Sequence, residues 1–213
     1  DLSSLTLSPK KLISVVDMSA EALTQNAGLE GAIRRNMAAS VASTLETALL
    51  TAGSDVTSAP ASIFTDAAAG ATPTAGAVAN TDFFALESTV LGNDVQLEGA
   101  RMAYIFDKTA YTDIRSMLQT TGVAALWNPS DRELNNYFGF FSTNVGNGGT
   151  ADRAHALFGD FSKVHIAQFG GLDILFDPYT KSRQGVGSMI VTSLVDGDAV
   201  QNDVAFASLI EAA

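Results

Sequence analysis

Residues 156–179 read ALFGDFSKVHIAQFGGLDILFDPY, and their reading decides the fold. Short apolar runs alternate here with Gly, Asp and Ser. Leu157-Phe158-Gly159-Asp160-Phe161 reads as a sharp turn, Gly and Asp being turn formers between bulky side chains. Val164 to Phe169 and Leu172 to Phe176 are β-branched and aromatic and too short for helices, so they read as strands. Gly170-Gly171 between them predicts a hairpin. Ser188 to Val195 adds a further strand.

Upstream, Tyr137 to Val145 is strand-like, Gly146 to Arg153 is a loose Gly/Asn/Thr loop, and Asn128-Pro129 marks a turn. Arg101 to Phe106 reads as a buried strand. Asp107 is placed to cap a helix over Thr109 to Gln119, with Tyr111, Ile114 and Leu118 at helical spacing. Thr81 is the expected cap of a helix over Asp82 to Leu91. A strand between two helices predicts a mixed α/β lobe. Residues 54–80, rich in Ala, Gly, Ser, Thr and Pro, read as a loop or boundary.

The clearest helix lies further upstream. Leu29, Ile33, Met37, Val41, Leu45 and Leu49 recur every four residues, with Ala38, Ala42 and Ala48 close to the row and Gly53 as the expected stop. Spacing by fours drifts slowly around a helix, so the apolar row wraps across a sheet and makes no straight coiled-coil seam. Before it, Ser19 is a candidate cap for a short helix over Ala20 to Gln25. Leu2 to Asp17 reads as two extended stretches interrupted at Pro9.

Composition narrows the function. The 213 residues include 46% hydrophobic but only 16% charged residues, a shortage of ionic groups that points to a surface covered by neighbours. The net charge is −11, and the strongest basic clusters are the pairs Lys10-Lys11 and Arg34-Arg35, so a sequence-reading nucleic-acid binder is not expected. Cysteine is absent, which removes disulfides, thiol catalysis and thiolate metal sites. No apolar run approaches the ~20 residues of a membrane span.

Candidate chemistry is sparse. His155 and His165 each lack a second histidine at ligand spacing, and both read as structural. Asp173 and Asp177 flank an apolar strand and could be drawn as an acid/base pair, but a solvated strand end and an Asp177-Pro178 turn account for them. Gly146, Gly148 and Gly149 are followed by no Gly-Lys-Ser/Thr, so they form no phosphate loop. No Gly-x-Ser-x-Gly elbow activates a serine. The expected catalytic, cofactor and metal sites are therefore none.

Several segments together resemble one family. Ala156 to Ser162, Val164 to Ala167 and Gly170 to Tyr179 are similar to the C-terminal signature of tailed-bacteriophage major capsid proteins, the Hong Kong 97-like fold. Leu7-Ser8-Pro9-Lys10-Lys11-Leu12, Asp17 to Leu23, Tyr137 to Phe140, Ser142 to Val145 and Asp203 to Ala207 resemble other parts of that family in the expected order. The resemblance implies an α+β fold with a peripheral domain, in which a spine helix lies on long strands, and a mixed α/β axial domain. It divides the chain into 1–16, the returning strand of an extended loop; 17–78, peripheral, with the spine helix at 30–52; 79–170, axial; 171–202, peripheral return strands; and 203–213, an axial C-terminal segment. The family's N-terminal arm and outgoing loop strand would precede Asp1. Gln184 to Met189 offers no asparagine for the covalent cross-link that some relatives form, so that chemistry is not carried over.

The function that the resemblance implies is structural. Copies of the chain would assemble as pentamers and hexamers into an icosahedral shell around double-stranded DNA, contacted non-specifically. Scaffold, protease and portal proteins would be further partners, and no membrane is involved. Synthesis would be in the bacterial cytoplasm, and the final place the capsid of a phage or prophage virion. An encapsulin-type nanocompartment shell is the alternative, and a soluble hydrolase using Asp173, Asp177 or a serine a more distant one.

Overall fold

A computed structural model describes residues 5–19, 21, 28–51, 59–74, 78–93, 101–117, 127–128, 132–146 and 153–212. In chain order the elements are β1 (Lys10–Ser19), α1 (Leu29–Leu50), α2 (Ile63–Asp66), β2 (Ala68–Ala71), α3 (Asn80–Leu91), β3 (Met102–Phe106) and α4 (Lys108–Ser116). The short strands β4 (Trp127–Asn128) and β5 (Glu133–Leu134) precede β6 (Tyr137–Phe141) and β7 (His155–Asp160). Then come β8 (Val164–Gln168), β9 (Asp173–Asp177), β10 (Val186–Ala199), α5 (Asn202–Ala205) and β11 (Phe206–Ile210).

Two sheets organise these elements. In the first, β10 is the central strand, antiparallel to β1 on one edge and to both β8 and β9 on the other. The second has the order β2-β11-β7-β3-β6-β5-β4, with β11–β2 and β3–β6 parallel and its other pairs antiparallel.

Helix α1 connects the cores of the two sheets, as its sequence period requires. Each four-residue step turns the row by about 40° beyond a full circle at 3.6 residues per turn. Its first half therefore faces the first sheet, where Met37 packs with Met18, Met189 and Val191, flanked by Val16, Ile33 and Val41. Its last residues, Leu49 and Leu50, face elsewhere and join Ile63, Phe64, Val145, Leu157 and Phe206 against the second sheet. Before Ala48 most of the helix off the row is exposed, and the hydroxyls of Thr44 and Thr47 donate back to the carbonyls of Ser40 and Ser43. Ala48 is buried, whereas Ala38 and Ala42 are exposed. The helix ends at Leu50 with extended Thr51 as its cap, and the expected stop at Gly53 lies outside the described residues.

The other face of the second sheet carries the largest core. Phe83, Leu86 and Val90 of α3 and Ala110 and Ile114 of α4 cover Tyr104, Phe106 and Phe158. Each fully buried aromatic there stabilises the fold by about 1.5–3 kcal/mol. Asp107 caps α4 as expected, its carboxylate accepting the Ala110 N–H at 2.8 Å. Helix α3 starts two residues earlier than a Thr81 cap implied, at Asn80 with Ala79 as its cap, because Asp82 reaches back and accepts the Ala79 N–H at 2.8 Å.

Three readings of the sequence are corrected. Residues 157–160 do not turn sharply; they belong to β7, a strand buried along its whole length, and the turn comes afterwards at Phe161–Lys163. Gly170-Gly171 is not a hairpin. β8 and β9 follow one another along the same edge of β10, and between the pairs Gln168–Val195 and Asp173–Thr192 the edge takes five steps to three on β10. That outward bulge needs the positive φ of Gly170, +93°. Residues 54–80 are not loop throughout, since α2 and β2 lie within them.

Smaller differences concern element ends. β1 begins after Pro9 as a single strand, β6 stops at Phe141, and α4 stops at Ser116. Apart from Glu21, the short helix expected at 20–25 lies outside the described residues, as do Pro129, Gly148 and Gly149. Of the segments assigned to lobes above, residues 68–71 join the sheet of β3 and β7, and residues 164–168 join the sheet of β1 and β10.

Candidate functional site

The two histidines lie in different sheets and do not converge. His155 is buried at the start of β7, with its ring edge-on to Phe64 at 5.9 Å between centroids. Its Nδ1 is 3.0 Å from the Arg153 carbonyl oxygen, which fixes the proton on that nitrogen. The ring fills the space beside Gly146, where an added Cβ would come within 2.3 Å of it. The glycine of that loop thus makes room for an imidazole and builds no anion cradle. His165 is exposed on β8. Among the described residues no group of three His, Asp or Glu could hold a metal ion.

Asp173 and Asp177 stand at the two ends of β9. The Asp177 carboxylate accepts the hydroxyl of Thr180, the N–H of Tyr179 at 2.8 Å and the N–H of Thr180 at 3.1 Å. These bonds, the Thr180 hydroxyl first, hold its carboxyl below the usual range. It is the anchor of a turn. One member of each basic pair is similarly engaged: Lys10 donates to the Ala59 carbonyl at 2.7 Å, and Arg34 pairs with Glu30 at 2.5 Å.

Sequence reasoning missed one polar cluster, because its members come together only through strand pairing. Asp17 on β1 stands opposite Ser188 on β10, and Ser188 Oγ donates to Asp17 Oδ1 at 2.6 Å. Lys181 Nζ donates to the other carboxylate oxygen. These bonds, that of Lys181 first, lower the Asp17 pKa. A carboxylate so held in its charged form is a weak base, and the serine has no imidazole to activate it. His165 is opposite Asp198, roughly 33 Å along β10 from Ser188 at the rise of a strand. The cluster fastens an edge strand.

What the molecule does present is apolar surface. Lys11, Ile13, Val15 and Asp17 form the exposed side of β1. The register sets Val15 opposite Ile190 and Ile190 opposite Leu175, so one apolar row crosses three strands, with Val15 and Leu175 more than half exposed. A second group lies on β6, where Phe138, Phe140 and Phe141 are all more than half exposed. At the turn after β9, Tyr179 is 83% exposed. Apolar groups so placed on both sheets mark contact surfaces.

Comparisons with known proteins agree with that geometry. The Phage capsid family matches residues 1–209. Among solved structures, the capsid of an empty GTA particle computed with C5 symmetry is similar at a TM-score of 0.73 and 20% identity, over 100% of this chain and 78% of that one. A Gordonia phage Cozz chain gives 0.71 at 19% identity, over 97% and 71% of the two chains. A Mycobacterium phage Bobi chain gives 0.71 at 12% identity, over 97% and 73%. No curated protein matches the sequence. The fold is thus the α+β Hong Kong 97-like fold that the ordered segments implied. With the match covering nearly its whole length, the chain belongs to the Phage capsid family, as a structural subunit of the capsid shell of a virion, assembled from copies of itself.

Proposed function

We propose that copies of this chain form pentamers and hexamers of an icosahedral phage or prophage shell that encloses double-stranded DNA, and that the chain catalyses no reaction. The observation that carries this reading is the apolar row Val15–Ile190–Leu175 on an uncovered sheet face of a chain with only 16% charged residues. Such a face is suited to burial by a neighbour in a repeated, self-complementary array. The net charge of −11 supports a container wall to which packaged DNA does not adhere. Scaffold, protease and portal proteins complete the set of partners, with synthesis in the bacterial cytoplasm. No described helix is long and apolar enough to cross a membrane.

Electron microscopy of the full-length protein, with nuclease-protection assays on purified virions, tests the reading. Closed particles and protected DNA are expected. Absence of particles at all concentrations, or particles whose contents are a cargo protein in place of DNA, overturns it.

A further inference from the structure

The chain has 12 basic residues, and the fold fastens most of the peptide bonds that follow them. A protease must draw its target bond into an extended form, which a folded chain allows where local opening is cheap. Lys10 and Lys11 lie in the β1–β10 ladder, and Arg34, Arg35, Lys108 and Arg115 are inside α1 and α4. Elsewhere another segment holds the carbonyl oxygen of the basic residue. The Phe161 N–H donates to Arg101 at 3.1 Å, the Val200 N–H to Lys163 at 3.0 Å and the Gly139 N–H to Arg132 at 2.9 Å. The Arg153–Ala154 bond is held on both sides. Its oxygen is 3.0 Å from His155 Nδ1, and its N–H donates to Glu211 Oε2 at 2.6 Å.

Lys181 and Arg183 are different, because both lie in the turn between β9 and β10. Residues 182–185 are all exposed. The backbone bonds that close the turn join only its own residues: the Ser182 N–H to the Tyr179 carbonyl at 3.1 Å and the Gly185 N–H to the Ser182 carbonyl at 3.0 Å. Gly185 ends it with a φ of +67°, and nothing lies within 4 Å of where its Cβ would be. One tie leaves the turn, from Lys181 Nζ to Asp17 on β1. The Lys181 carbonyl also accepts the Gln184 N–H at 2.9 Å. Arg183 has no ion pair among the described residues.

We propose that the Arg183–Gln184 bond is a cleavage site for a protease selective for basic residues, and that the cut chain keeps its fold. Hydrolysis breaks the bond between the Arg183 carbonyl carbon and the Gln184 nitrogen. Water gives its hydroxyl to the carbon and a proton to the nitrogen, leaving a carboxylate and an amine at an exposed turn. Residues 184–213 then hold β10 and β11 without a covalent link to the rest. β10 stays bonded to β1, β8 and β9, and β11 to β2 and β7, so the cut removes no ladder bond from either sheet. The site does not depend on the shell-building reading above.

Trypsin added at a low ratio to the full-length protein before assembly tests this, with the products read by mass spectrometry. Within residues 1–213 the first cut should follow Arg183. The fragment 184–213 should co-elute with its partner in gel filtration and separate only in denaturant. Arg183→Gln should slow the loss of intact chain by about tenfold, since cleavage follows the population of opened turn that carries a basic residue. Arg183→Lys should restore the cut at the same bond. Asp17→Asn keeps an acceptor for Ser188 but releases the Lys181 ammonium, and it should speed cutting after Lys181 a few-fold, the size of a surface ion pair. A first cut after any other basic residue, Arg153 included, or an Arg183→Gln protein cut as fast as the wild type, overturns the site. Fragments that separate or aggregate without denaturant overturn the claim that the fold survives the cut.

Discussion

One oxygen of Asp107 accepts both the Ala110 N–H, at 2.8 Å, and the His155 N–H, at 3.2 Å. The same carboxylate oxygen thus caps α4 and holds the first residue of β7, next to the backbone bond from Asp107 N to the His155 carbonyl at 3.1 Å. Both donors are buried. Asp107→Ala should cost about 2–4 kcal/mol, a lost cap plus a stranded buried N–H. Asp107→Asn keeps an acceptor and should cost clearly less. Urea denaturation of the two variants checks this, and equal midpoints for Ala and wild type would show that water replaces the carboxylate.

Gly159 sits in mid-strand in β7, where an added Cβ would lie 2.4 Å from the Ala205 carbonyl oxygen and 2.4 Å from the Phe206 ring. A backbone carbonyl cannot rotate away as a flexible side chain can. Gly159→Ala should therefore destabilise by about 1–3 kcal/mol through overpacking. Gly171→Ala is the control, with nothing within 4 Å and no positive φ, and it should be near neutral. Thermal melting of both variants separates local crowding from a general penalty for losing glycine.

That same glycine shows why β7 was not legible in the sequence. Gly159 and Asp160 are turn formers by local preference, but here one makes room for Phe206 and the other accepts the Arg101 N–H at 3.0 Å and the Ser162 N–H at 2.9 Å. The contacts with Phe206 and Arg101 come from other parts of the chain, and no short window contains them. The β8–β9 edge was misread for the same reason, since its partner β10 lies further along the sequence and a Gly-Gly pair suits a bulge as well as a hairpin. By contrast, α1 and the Asp107 cap were legible because period and capping are local properties. Asp17 with Ser188, and the phenylalanines of β6, were not. Alternation shows that two faces differ, but which of them another chain covers is a property of the assembly.

The α1 row offers a graded test. Met37 is 1% exposed, whereas Val41 one turn later is only half-buried. Met37→Asp places an unpaired carboxylate among Met18, Met189 and Val191 and should cost several kcal/mol, a large share of an ordinary domain's stability. Val41→Asp should cost less, because its carboxylate can reach water. Equal losses, or a Met37→Asp protein that melts like the wild type, would show that the first half of α1 is not part of the core.

Two carboxylates should respond to acid with opposite sign. Burial raises the pKa of Asp160, but hydrogen bonds from Ser162 and the Arg101 N–H outweigh it, and the net shift is downward. A depressed folded-state pKa contributes stability that is fully present above the unfolded value, about 3.9, and lost as pH falls through the folded value. Asp113 is shifted up, by burial first and then by the charges of Glu211 and Asp107. Ionising it therefore costs the folded state, a penalty present above its folded pKa and absent below the unfolded one. Asp160→Asn should consequently lose on the order of 1 kcal/mol at pH 7, the charge-assisted part of its two amide bonds. Asp113→Asn should gain a few tenths of a kcal/mol there, the size usual for a partly exposed position. Chemical denaturation at pH 7 and near pH 2.5 reads both effects. At the lower pH the Asp113→Asn difference should vanish and the Asp160→Asn deficit should shrink. A difference from wild type of the same size at both pH values would mean that the substitutions act through shape and packing, with no contribution from charge.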